Sequence, residues 1–171
     1  MQKQIMQGRN QVTKKLVYSN LTALNLSRNG LGPAVCASLM YCLAAPNCTI
    51  VTLDISNNPL GFSIPNAGDA LLAAADCRAA LGNNMSLTHL NFSKTMFQPT
   101  QLVSIFGGLA MNQYLREIHL GDMILDEPDC LQLSHAIDIC HHLHVIDIPN
   151  SQMGPKGAKL ILHQIDLHKR R

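Results

Sequence analysis

Five stretches of the chain share one pattern: LTALNLSRNGLG (21–32), IVTLDISNNPLG (50–61), LTHLNFSKTMFQ (87–98), LREIHLGDMILD (115–126) and LHVIDIPNSQMG (143–154). Their starts are 29, 37, 28 and 28 residues apart, so one spacing is anomalous. In each stretch apolar side chains hold the first, fourth and sixth places. That alternation marks a short strand with one buried face, followed by a turn. The expected inward-pointing pairs are Leu24 with Leu26, Leu53 with Ile55, Leu90 with Phe92, Ile118 with Leu120, and Ile146 with Ile148. A period held over several copies specifies architecture better than local propensity does, because each unit is one supersecondary element that must stack on the next.

The second half of each unit reads as a helix. Val35, Leu39 and Leu43 recur every fourth residue, as do Ile105 with Leu109, Leu133 with Ile137, and Gly157 with Ile161 and Ile165. Tandem strand–turn–helix units of this length and consensus resemble leucine-rich repeats of the ribonuclease-inhibitor-like class. The resemblance implies an α/β fold: a right-handed solenoid, a horseshoe arc of about five repeats, with parallel strands on the concave face and helices on the convex face. Residues 21–167 form the expected repeat domain, with repeats starting near 21, 50, 87, 115 and 143. Residues 1–20 read as an N-terminal capping helix or half repeat, and 168–171 as a basic tail. NQVTKKLVYS (10–19) looks like the helix of a preceding repeat, and no polar cap closes the last one. An uncovered strand edge invites pairing, so the chain is expected to be either cut from a longer protein or self-associating through its terminal repeat edges.

The ninth place of such repeats favours Asn, whose amide can bond backbone groups that the short strand leaves unpaired. Here it is Asn29, Asn58, Thr95, Met123 and Ser151. The expectation is a ladder intact in two repeats and weakened in three, with no amide at all at Met123.

Composition fits one continuous core: 171 residues, 47% hydrophobic, 4% aromatic and no Trp. The charge is unevenly placed. Residues 1–20 carry four basic residues and no acid, while 21–155 carry four basic and ten acidic ones, a formal charge of −6. That body is unsuited to nucleic acid, which needs clustered Lys and Arg, and better suited to a protein partner with a basic surface. Two uncharged runs, 29–53 and 95–115, keep the repeat register and contain turn residues, so no transmembrane segment is expected. The first fifteen residues, MQKQIMQGRNQVTKK, lack an apolar segment, so they are not expected to act as a secretory signal. Six single cysteines without a CxxC pair read as buried free thiols, and five N-x-S/T triplets, headed by Asn20, Asn25, Asn47, Asn84 and Asn91, as coincidences in a cytoplasmic chain.

Third- and fifth-place residues should face solvent on the concave side. The third place reads Ala23, Thr52, His89, Glu117, Val145, and the fifth Asn25, Asp54, Asn91, His119, Asp147. Strands about 4.8 Å apart would set His89 beside Glu117 and His119 between Asn91 and Asp147. Asp54, His89, Asn91, Glu117, His119 and Asp147 are therefore the candidate partner-binding residues, an acid-and-imidazole patch with pH sensitivity available through its histidines. Zinc at this patch is disfavoured because a flat ladder resists convergence, and His119 with Asp147 lacks a nucleophile and a closed pocket. Cys140, His141, His142 and His144 have the wrong spacing for a metal site. No phosphate-loop motif occurs. No catalytic, cofactor or metal residues are expected.

The enlarged second repeat inserts GFSIPNAGDA before its helix resumes, and Phe62 and Ile64 there either pack down or form an exposed recognition lip. With SKT in LTHLNFSKTMFQPTQLVSIFGGLAMNQYLREIHL and the preceding enlarged repeat, residues 50–120 resemble the leucine-rich repeat region of the CARMIL actin regulators. The resemblance implies a cytoplasmic scaffold of cortical actin assembly. The chain is far shorter than that family, and no capping-protein-binding residue carries over. The expected function is a non-catalytic protein–protein interaction module. The alternatives are a GTPase-activating protein, using Arg28, Arg116 and Asn57, and a purely structural segment of a longer solenoid.

Overall fold

A computed structural model describes residues 20–61, 75 and 77–168. The capping helix expected before residue 20, Phe62 and Ile64 of the insertion, and residues 169–171 lie outside these. Five three-residue strands, β1 (Ala23–Asn25), β2 (Thr52–Asp54), β3 (His89–Asn91), β4 (Glu117–His119) and β5 (Val145–Asp147), form one parallel sheet in chain order. Equivalent repeat positions stay in register, so Leu24, Leu53, Leu90, Ile118 and Ile146 make one row. Parallel neighbours need a crossover. Helices supply it between the strands: α1 (Pro33–Leu43), residues 77–83, α2 (Pro99–Leu109) and α3 (Glu127–Ile139); α4 (Gly154–His168) follows β5. The result is an α/β leucine-rich repeat solenoid with an open sheet.

Each unit begins and ends for local reasons. Proline stands in the first turn of α1, α2 and α3, where its missing N–H has no intrahelical partner to lose. Asp126 caps α3, accepting from Asp129 N at 2.9 Å, and Asp126 N donates back to the Asp129 carboxylate at 3.1 Å. After every strand the eighth-place residue takes a left-handed conformation: Arg28, Asn57, Lys94, Asp122 and Asn150, with φ between 55° and 59°. Asn and Asp tolerate this region best; Arg28 and Lys94 hold it at some conformational cost because the repeat geometry demands it.

The core is the continuous stack of inward residues. Leu53, Ile55, Leu90, Phe92, Ile118 and Leu120 are each at most 1% exposed, whereas Leu24, Leu26, Ile146 and Ile148 at the two ends are only partly buried. Phe92 packs edge-on against Phe97 with ring centroids 5.5 Å apart. The expected faces of α2 and α3 are buried. On α1 the four-residue step misassigns one residue: Val35 is 44% exposed, and Cys36, Met40 and Leu43 form the inner face instead. Gly61 is required by a close approach, since a Cβ there would run into the backbone of Met96 and Phe97 in the next repeat.

The ninth-place ladder differs from expectation at one rung. Asn58 donates to Leu26 O in the preceding repeat (3.0 Å) and accepts from Asn29 N (2.9 Å). Ser151 makes the equivalent pair of bonds with one hydroxyl, donating to Leu120 O (3.0 Å) and accepting from Met123 N (3.3 Å). Thr95 bonds only Phe92 O in its own repeat through its side chain (2.6 Å). A hydroxyl suffices at Ser151 because it both donates and accepts. Ser151→Ala should cost about 1 kcal/mol in urea denaturation; an unchanged midpoint would show that the rung is idle.

A second ladder runs just before the strands, three places ahead of the third, fourth and fifth repeat starts. Asn84 Nδ2 donates to Leu43 O (2.6 Å), and its Oδ1 accepts from Ser86 N and Leu87 N. Asn112 donates to Leu81 O (2.6 Å) and Asn84 O (3.1 Å) and accepts from Tyr114 N and Leu115 N. Cys140 continues the row, its thiol donating to Leu109 O. Asn84, which heads a glycosylation-like triplet, is thus a caged structural residue, 3% exposed.

Candidate interaction surface on the open sheet

The sheet face opposite the helices carries the third- and fifth-place side chains. Its fifth-place residues divide into two groups, and the seventh place decides which. Asn25, Asp54 and Asn91 each turn back to accept the backbone N–H of Ser27, Ser56 and Ser93, at 2.9, 2.9 and 3.0 Å. These are Asx turns that close the strand ends. In the fourth repeat the seventh place is Gly121, whose N–H donates to Ser93 Oγ (3.0 Å), and in the fifth it is Pro149, which has no N–H. His119 and Asp147 are left free to meet each other.

They do so through a connected row. His119 Nδ1 lies 3.0 Å from Asp147 Oδ2, and His119 Nε2 lies 2.7 Å from Glu117 Oε1. The other Glu117 oxygen is 3.5 Å from His89 Nε2, and His89 Nδ1 is 2.7 Å from Thr88 Oγ1. The row spans three strands and stays open to solvent, with side-chain exposure from 29% at Glu117 to 51% at Asp147. Partial burial of His119 disfavours its charge, but hydrogen bonds to Asp147 and Glu117 and their negative charge outweigh this and raise its pKa.

Of the six residues singled out from the sequence, the structure joins four: His89, Glu117, His119 and Asp147. Asp54 and Asn91 are anchored in their own turns. Lys94 and Asp122, both eighth-place residues, pair at 3.5 Å on the rim beside the row; aligning eighth places between repeats would have shown the pair. Thr88, which holds His89, is a second-place residue with no such signal. Arg28, Asn57 and Arg116 do not converge: the first two lie in turns after their strands, while Arg116 precedes β4 and reaches His142 O at 3.4 Å.

Other clusters offer less. Cys140 is buried while His141, His142 and His144 are exposed, so the four do not share a site. Among the described residues no three His, Cys, Asp or Glu side chains are arranged to hold a metal ion. Burial pushes the Cys130 and Cys140 thiols up, away from reactive thiolate. Glu127, Lys156, Lys159, Leu160 and His163 line an open groove of about 380 Å³ on α3 and α4. Among the described residues no helix is long and apolar enough to cross a membrane.

Comparison with known proteins matches two family models, both described as leucine-rich repeat, to residues 19–34 and 49–71. The mouse protein "NACHT, LRR and PYD domains-containing protein 5" is 30% identical over 140 residues, which cover 81% of this chain. The chain spans only 11% of that relative's length. Among solved structures, leiomodin-1 actin-binding site 2 superposes with a TM-score of 0.65 over 95% of this chain and 90% of its own, at 13% identity. Likeness at that identity speaks to the fold. Strand–turn–helix units in one parallel sheet, two of them matched by repeat models, place the chain among the leucine-rich repeat proteins.

Proposed function

We propose that the chain is a non-catalytic interaction module of the cytoplasm, a scaffold in regulation of the actin cytoskeleton, whose open strand face receives a protein partner with a basic surface. The observation that carries this reading is the His89–Glu117–His119–Asp147 row on an open sheet, within a body of formal charge −6. Stacked repeats build extended surfaces rather than closed pockets, and a carboxylate row on such a surface complements Lys and Arg. The actin assignment is supported by the resemblance of residues 50–120 to the CARMIL repeats and by the fold shared with an actin-binding site of leiomodin-1. A GTPase-activating role is disfavoured by the separation of Arg28 and Asn57 from Arg116.

Capture from cytosol, followed by binding to purified actin, compares the intact chain with a variant carrying Ala at His89, Glu117, His119 and Asp147. All four side chains are partly exposed, so the variant is expected to fold with little loss of stability. Partner affinity should fall about tenfold or more, and raised salt should weaken the intact chain's binding. Equal recovery of the same partners by both proteins would refute the strand-face assignment. Binding of those partners without actin binding would remove the cytoskeletal assignment alone.

A further inference from the structure

We propose that Glu117, His119 and Asp147 form a proton-gated receptor for an arginine or lysine side chain of a partner protein. This rests on the strand-face reading above and adds its regulation.

The gate follows from the valence of imidazole. Both ring nitrogens of His119 face carboxylate oxygens, Nε2 at 2.7 Å from Glu117 and Nδ1 at 3.0 Å from Asp147. A neutral ring has one N–H and one lone pair, so it can donate to one carboxylate and must turn a lone pair on the other. Only the imidazolium donates to both. In that state His119 serves as the cation for its own two neighbours, and the row is closed to another. Loss of the proton leaves one carboxylate facing a lone pair, and both carboxylate side chains reach solvent. A partner's guanidinium or ammonium then supplies the missing charge, the guanidinium being the better fit to a carboxylate because its N–H groups are planar and forked.

The surroundings of His119 leave it this role. On its own strand it faces Glu117, on β5 it faces Asp147, and on β3 its register partner is the uncharged Asn91. His89, also on β3, touches the far oxygen of Glu117 at 3.5 Å and is the other titratable group of the row. Lys94 and Asp122 pair with each other. Asp147 is available because Pro149 cannot draw it into an Asx turn, as Ser56 and Ser93 draw Asp54 and Asn91. Binding of a cationic side chain and binding of the proton are therefore antagonistic, and the coupling is reciprocal.

The test uses the full chain and a synthetic hexa-arginine peptide in titration calorimetry at about pH 6 and about pH 8, in buffers of differing ionisation enthalpy. Affinity should rise about tenfold with pH, and binding should release up to one proton per peptide. His119→Gln should bind at both pH values with the pH dependence and proton release gone, while His89→Gln should keep both. If a Glu117→Gln and Asp147→Asn double variant binds as tightly as the intact chain, the strand-face reading fails and the gate with it. If binding needs those carboxylates but the intact chain has equal affinity at both pH values, the gate alone is wrong. Survival of the pH dependence in His119→Gln would likewise overturn the assignment to His119.

Discussion

Asn112→Ala is expected to lower stability by about 4 kcal/mol, because one side chain serves four backbone groups at a repeat junction. Its amide donates to Leu81 O and Asn84 O, and its oxygen accepts from Tyr114 N and Leu115 N. Asn112 is only 6% exposed, so water cannot readily replace it. Each buried group left unpaired costs about 1–3 kcal/mol, reduced here by relaxation of the loop. Asn112→Asp separates the two halves: it keeps the acceptor but sets a carboxylate against two carbonyl oxygens, and should be at least as damaging as Ala. Urea denaturation followed by circular dichroism reads both. A loss below about 1 kcal/mol for Ala would mean that the loop holds itself without the side chain.

Asp129→Asn should have the opposite sign above neutral pH. Asp129 is fully buried in the first turn of α3; one carboxylate oxygen accepts from Asp126 N, and the other has no hydrogen-bond partner. Burial, reinforced by the Asp126 charge, outweighs the hydrogen bond from Asp126 N and raises its pKa from 3.8 to about 7. Between these values the folded state holds a proton that the unfolded state has lost. Stability must then fall as pH rises through that window and level off above it, by about 4 kcal/mol in total. The amide carries no charge to desolvate, so this slope should vanish in the variant. The gain at about pH 8 should be about 2 kcal/mol, less than the full term because the new NH₂ replaces an unpaired oxygen with an unpaired donor. At about pH 5 the two proteins should be nearly equal. Urea midpoints at both pH values decide it: an identical pH slope in the variant would place the buried proton elsewhere.

Neither Asn112 nor Asp129 stands out in the sequence, whereas the strand period does. The strand period was legible because side chains alternate regardless of context, so Leu53, Leu90 and Ile118 could be placed inward from the pattern alone. The register of His89 with Glu117 and of His119 with Asp147 followed once the repeats were aligned. A four-residue step points Val35 inward, but that step drifts around a helix of 3.6 residues per turn, and Val35 faces solvent. Asn84 and Asn112 share a repeat position with the exposed Asn47 and with Cys140, so that position alone does not mark a buried row. Nothing local marks Asp129 as buried; in sequence it is an acid at a helix N-terminus, which is ordinarily favourable and solvated.

The sequence by itself determined the repeating unit, the order of its strands and helices, and which residues alternate between the core and the open face, because all of these follow from periodicity. Tertiary structure alone decided which of the polar residues on that face are occupied. Asp54 and Asn91 close their own turns, while Asp147, beside a proline with no N–H to offer, turns to His119. Repetition makes the fifth-place residues equivalent as positions on the sheet; the hydrogen bonds left over after each turn is closed make them different as chemistry.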